Sequence, residues 1–153
     1  MLRYNEPLSR HTSFRIGGPA YCWIEPEDQA GILEAIHLSE TKNKKFIAIG
    51  KGTNLLAGDE GFDGIVMCLA KGFEKLEQGE SGVIKAGAGI SVAKLVKFAA
   101  AKGLSGLEFL AGIPGDLGGA IFMNAGVRDL EEPAKFIEIK DKIFPFHAAR
   151  ASG

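Results

Sequence analysis

Seven glycines fall between Gly103 and Gly126, in a stretch that is otherwise largely apolar and carries Pro114 in its middle. No other part of the chain limits its structure as strongly. Glycines this dense let a backbone turn through φ > 0 or let something approach it closely. The segment therefore reads as backbone against which something flat or anionic lies.

The totals allow a packed unit to present that segment. At 153 residues with 46% hydrophobic side chains, the chain suits one domain or two small lobes around a core. A formal net charge of −1 supplies no basic excess to neutralise a polymer of phosphates, which argues against nucleic acid as a partner. No run of about 18 apolar residues is available to cross a membrane. Met1-Leu2-Arg3-Tyr4-Asn5-Glu6-Pro7 lacks the apolar core of a signal peptide. The expectation is a cytoplasmic protein without membrane contact. Cys22 and Cys68 each sit among large apolar neighbours in an expected strand, so they read as buried small side chains rather than a disulfide or metal pair. His11, His37 and His147 have no metal-ligand spacing, and no metal site is expected.

Taken in order, residues 5 to 18 mix turn formers with a Phe14-Arg15-Ile16 alternation, an irregular arm with a short strand that Gly17-Gly18-Pro19 ends. Ala20 to Glu25 reads as a strand stopped by Pro26. Acids at Glu27 and Asp28 open a helix to about residue 42, with Ala30, Ile32, Leu33, Ala35, Ile36 and Leu38 as its apolar face. Lys44 to Ile49 follows as a strand covered on both faces, which completes a strand-helix-strand unit with a parallel crossover. That strand runs into Gly50-Lys51-Gly52-Thr53-Asn54-Leu55-Leu56. Two readings stand for this turn: a nest of amides that binds phosphate, or a connection between strands. A dinucleotide fingerprint is excluded, because the next residues, Ala57 to Gly64, form another loop instead of a helix.

Ile65 to Ala70 reads as a further buried strand, and Glu74 to Gln78 with Val83 to Gly89 as an antiparallel hairpin. Ser91 is placed to cap a helix in which Val92, Leu95, Val96, Ala99 and Ala100 recur at helical spacing, and Gly103 stops it. Phe136 to Lys140 and Lys142 to Phe146 are two more strand-like runs. The expected organisation is two lobes of similar grammar, 1–72 and 73–147, each with one helix, and a tail at 148–153.

Thr12-Ser13-Phe14-Arg15-Ile16-Gly17-Gly18, Gly50 to Leu56, Gly87-Ala88-Gly89 and Gly103 to Gly126 occur in one order, and together they resemble the flavin-binding half of the UDP-N-acetylenolpyruvoylglucosamine reductases, also called UDP-N-acetylmuramate dehydrogenases. The resemblance spans residues 8 to 126. It implies an α+β fold, a two-lobed FAD-binding module of the vanillyl-alcohol-oxidase (PCMH) type with FAD extended between the lobes. It also implies an oxidoreductase of peptidoglycan synthesis, in which NADPH donates a hydride, by way of the flavin, to an enolpyruvyl ether on a UDP-sugar. By resemblance Gly50, Gly52, Thr53, Asn54 and Leu55 meet the pyrophosphate from the first lobe. Ile113, Pro114, Gly115, Gly118, Gly119 and Ala120 meet it and the ribityl chain, and Asn124, Ala125 and Gly126 approach the flavin ring.

No lysine or arginine lies within residues 103 to 127, so backbone N–H groups have to meet the phosphates there. Lys51 either points to solvent or contacts phosphate. Phe14 and Phe109 either flank a ring or belong to the core, and Arg15 either anchors a loop or reaches the cofactor. The glycine loops hold no His or Cys for covalent attachment, so FAD is expected to be held non-covalently. Arg150-Ala151-Ser152 is a weak match to the family's Tyr-Arg-x-Ser segment, with Ala149 where tyrosine is expected. Arg150 is accordingly the one catalytic candidate, set against a chance match. The family's substrate domain and its proton donors have no counterpart here, so the UDP-sugar is a partner only if that domain is supplied. The expected alternative to an enzyme is a non-catalytic FAD-binding module that needs a partner. A face left uncovered by the substrate domain is expected to favour self-association.

Overall fold

The computed structural model describes residues 1–69, 71–126, 137–139 and 142–144. Arg150 and the tail from 148 lie outside the described residues. The chain divides into two compact units, Met1–Lys75 and Leu76–Gly153.

In the first unit four strands form one sheet: β1 (Leu2–Pro7), β2 (Pro19–Ile24), β3 (Lys45–Ile49) and β4 (Phe62–Cys68), in the order β1-β2-β4-β3. β1 runs antiparallel to β2, while β2 and β3 both run parallel to β4, which lies between them. The expected parallel crossover is present, carried by helix α1 (Gln29–Thr41). Asp28 starts that helix by accepting a hydrogen bond from the Gly31 amide at 2.9 Å. Strand alternation, interrupted by a register shift between Ala20 and Cys22, splits the core in two: Cys22, Ile24, Ile65 and Met67 pack with Ala35 of α1, and Ala20, Trp23 and Val66 pack with Leu8 on the opposite face. Cys22 is buried as expected, whereas Cys68 is only half-buried, at the end of β4.

Two expectations for this unit are corrected. The short strand belongs at Leu2–Pro7, not at Phe14-Arg15-Ile16. Around Thr12 to Ile16 the chain closes on itself instead: the Arg15 amide donates to the Thr12 carbonyl, the Thr12 hydroxyl donates to the Ile16 carbonyl, and Arg15 takes φ +56°. β3 is an edge strand rather than one covered on both faces, with Phe46 and Ile47 at 36% and 38% exposure.

The second unit pairs β5 (Leu76–Gln78) with β6 (Ile84–Ala86) as the expected hairpin. α2 (Val92–Ala101) begins where the Ser91 side chain accepts from the Lys94 amide at 3.2 Å, and Gly103 at φ +66° follows its end. Ile90, Val92 and Leu95 are buried with Phe109, Leu110, Leu117 and Ala120. The expectation of one helix in this unit is also corrected: the glycine-rich segment itself contains α3 (Leu117–Phe122). β7 (Ile137–Ile139) and β8 (Lys142–Phe144) form a separate antiparallel pair.

Candidate functional site

In the first unit β3 delivers the chain at Ile49 into Gly50 to Leu55, and the protein's own backbone fixes the turn. Gly52 is buried at φ +62°, and a Cβ there would come within 2.1 Å of the His11 carbonyl oxygen and 3.0 Å of Thr12 Cα. The Gly52 carbonyl accepts from the Ser13 amide at 3.1 Å, and farther along the Gly58 carbonyl accepts from the Gly18 amide at 2.9 Å. The loop is thus held along the segment His11 to Gly18. Gly50 accepts a weak 3.7 Å contact from the Cys68 thiol. Among the described residues the amides of Gly52 and Asn54 donate no hydrogen bond. Lys51 and Asn54 are exposed, while Thr53 is half-buried. Leu55 points the other way, lining with Ile47, Ile49, Phe62 and Val66 an apolar cavity of about 170 Å3. That is below the roughly 300 Å3 at which cofactor pockets begin, so this cavity accommodates packing rather than a ligand.

In the second unit the stretch from Gly115 to Gly118 is stitched to the residues before α2. The Val92 amide donates to the Gly115 carbonyl at 3.0 Å, Leu117 donates to Ile90 at 2.8 Å, and Gly118 donates to Ala88 at 2.8 Å. A Cβ on Gly118 would lie 3.0 Å from that of Ala88, so this glycine is accounted for by close packing and its amide is engaged within the protein. Gly119 is different. It is exposed, nothing lies within 4 Å of where its Cβ would be, and its amide donates to no group among the described residues. Its φ lies outside the left-handed region, so alanine would fit the backbone. The Gly115 amide is likewise without an acceptor among the described residues.

Beyond α3 the Ala125 amide returns to the Ala120 carbonyl at 2.8 Å while Asn124 takes φ +49°, so the chain turns sharply there. Gly126 lies against the Phe109 ring, where a Cβ would stand 3.4 Å from Cδ2. Ala120 is buried, and Ile113 and Ala125 are half-buried and packed on the same core, whereas Pro114 and Asn124 are exposed. Phe109, at 2% exposure, is a core residue and not a ring-flanking one; Phe14, at 64%, stands clear of the core. Arg15 is exposed in its turn. The larger cavity, about 530 Å3 against α1, is lined by none of the expected site residues.

The open amides, the absence of a lysine or arginine from 103 to 127, and a helical glycine with room above it fit a cofactor that brings its own negative charge and a flat body close to backbone. A family model for an FAD binding domain matches residues 20–133. The chain belongs to the FAD-binding domain family. Its cofactor is accordingly FAD, and its fold is the family's α+β FAD-binding fold. UDP-N-acetylenolpyruvoylglucosamine reductase from Halalkalibacterium halodurans is 46% identical over 126 residues, which are 82% of this chain and 41% of that protein. The enzyme of the same name from Bacillus subtilis is 45% identical over 80% of this chain and 40% of its own length. The crystal structure of the Thermus caldophilus reductase superposes with a TM-score of 0.67 at 36% identity, covering 84% of this chain and 44% of that one. The chain thus spans about two-fifths of the length of the relatives it matches.

Sequence reasoning located both glycine segments and read residues 5–18 as an irregular arm in which Arg15 anchors a loop or reaches the cofactor, but it did not find that the backbone of residues 11–18 braces the first segment. The available signal was the clustering of glycines at 17–18, 50–52 and 58–61, since loops that pack backbone against backbone need glycine at the contacts.

Proposed function

We propose that this chain is the cofactor-holding part of a flavin-dependent reductase acting on UDP-N-acetylenolpyruvoylglucosamine in peptidoglycan synthesis, with NADPH as hydride donor and a cytoplasmic place of action. FAD, when bound, supplies relay of a hydride from NADPH to the enolpyruvyl ether of the UDP-sugar. Because the chain corresponds to about two-fifths of the reductases it resembles, only the cofactor-holding share of the reaction is assigned to it. The fold is proposed to be of the vanillyl-alcohol-oxidase type, with 1–72 and 73–147 as its lobes.

The observation that carries the reading is Gly119: an exposed helical position whose lack of a side chain serves no packing among the described residues. Glycine there costs about 1 kcal/mol against alanine, which close approach of a ligand offsets. Gly52 and Asn54 are proposed to donate to pyrophosphate oxygens from the first unit, with Gly50, Thr53 and Leu55 shaping the turn and Lys51 adding one positive charge. In the second unit Gly115 and Gly119 take the donor roles. Ile113, Pro114, Gly118 and Ala120 hold that backbone in place, while Asn124, Ala125 and Gly126 approach the isoalloxazine. Amide donors already fixed in orientation stabilise phosphate without importing a cation, and so leave the site's charge set by the cofactor.

The test is a titration of the purified chain with FAD, followed by quenching of flavin fluorescence and by its visible absorption. Saturable binding of one FAD per chain is expected. A chain that purifies colourless and leaves FAD fluorescence unchanged at every concentration overturns the reading.

A further inference from the structure

A buried polar cluster in the first unit stands apart from every role described so far. Glu6, on β1, is 5% exposed. Its Oε1 accepts from His11 Nε2 at 2.9 Å and from Arg3 Nη1 at 3.0 Å, and Arg10 Nη1 lies 3.7 Å from Oε2. A carboxylate only accepts, so the His11 proton sits on Nε2. The imidazole is stacked on the indole of Trp23, with centroids 3.7 Å apart and planes 18° from parallel. Trp23, 1% exposed, donates through Nε1 to Glu25 Oε1 at 2.8 Å, and that oxygen also takes Arg3 Nη2 at 2.7 Å. The charged groups about His11 are therefore Glu6 directly, Arg3 and Arg10 through Glu6, and Glu25 through Trp23.

Burying a carboxylate among such partners is a weak way to gain stability, because desolvation offsets much of the attraction; apolar packing does as well. What the cluster does well is fix one side chain in one orientation. His11 is held by a hydrogen bond at its ring Nε2 and by an aromatic face across the ring, and its backbone packs against the cofactor loop, which is distant in the chain. Its carbonyl oxygen occupies the space where a Gly52 Cβ would be, Thr12 Cα lies beside it, and the Ser13 amide donates to the Gly52 carbonyl. The ring's clamp therefore bears on the strip of backbone that packs against Gly52 and donates to its carbonyl.

We propose that His11, clamped between Glu6 and Trp23, is the positioning residue for the Gly50–Leu55 loop and so for its grip on the pyrophosphate of FAD. This rests on the cofactor reading above, and the test separates the two. The whole 153-residue chain carries His11→Ala, His11→Gln, which keeps an N–H at the reach of Nε2, or Ile65→Val, a core truncation on the α1 side of the sheet. Each is titrated with FAD, and each is followed without FAD by amide hydrogen exchange at Ser13 and over residues 50–55. His11→Ala is expected to weaken FAD binding about tenfold or more, the scale of one charge-assisted hydrogen bond, and to speed exchange at Ser13 and the loop. His11→Gln should recover most of both, and Ile65→Val should move neither. Parental affinity and exchange in His11→Ala, or the same losses from Ile65→Val, overturn the proposal. A parent chain that binds no FAD sinks the cofactor reading alone, since the exchange measurement still decides whether His11 holds the loop.

Discussion

At Gly52 an added Cβ would stand 2.1 Å from the His11 carbonyl oxygen, whereas at Gly119 it would meet nothing within 4 Å. Both positions lie in glycine-rich segments, the first in a turn and the second in helix α3, and both carry an amide that donates to nothing among the described residues. The first glycine is demanded by the protein's own backbone, at a φ that other residues avoid and against a neighbour that cannot move. Among the described residues nothing demands the second, which leaves an open patch of backbone at α3. Glycine density alone marks both segments; only packing separates a glycine the fold requires from one it leaves open.

The sharpest break in that comparison comes from Gly52→Ala. Left-handed strain and a forced backbone shift together predict a loss of roughly 2–5 kcal/mol, a large share of a small unit's stability. Urea unfolding measures it, and a parental midpoint would mean that the His11 strip yields easily. Gly119→Ala has the opposite signature. Stability should rise by about 0.5–1 kcal/mol through better helix propensity, while FAD affinity falls about tenfold, from the methyl standing where the cofactor approaches. Thermal melts paired with FAD titrations read both, and a more stable variant with unchanged affinity would remove Gly119 from the site. The gentlest test varies pH. The hydrogen bond from His11 holds the Glu6 carboxyl below its ordinary value of 4.5, with Arg3 and Arg10 adding to it and burial opposing them. A depressed folded-state pKa means that this contribution to stability is complete above 4.5 and is lost as pH falls through the lower, folded-state value. Acid unfolding of the first unit should steepen below pH 4.5 in the parent chain, and the Glu6→Gln chain should lack that extra slope.

Most of the frame was legible where local chemistry and burial agree. Ser91 caps its helix as expected, and Asp28, read only as an acid opening its helix, proves to be the cap, accepting from the Gly31 amide. β1 was not legible, because its inward positions include Glu6 and Arg3, which read as solvent-facing until cations, an imidazole and a second carboxylate are brought together from distant positions. β3 was misjudged because an apolar run gives no information on which side of β4 the strand will lie. α3 escaped notice for a simpler reason: Gly118 and Gly119 are poor helix formers, and the helix is six residues long. In the candidate site the glycine turns were legible, while the directions their groups take were not. Gly118 proved to bond Ala88, Leu55 to face an apolar cavity, and Ala120 to be core.

The placement of β4 between β2 and β3 also fixes an order of events during synthesis. Residues 45–49 leave the ribosome well before 62–68, yet among the described residues β3 pairs in the sheet with β4 alone. Until Cys68 has emerged, Phe46-Ile47-Ala48-Ile49 is a nascent apolar strand with both edges unpaired, and α1 is a helix with no complete sheet beneath it. Closing the first unit therefore waits on pairings between distant parts of the chain, the slow kind. During that interval a nascent chain is most exposed to mispairing with its neighbours on the same message.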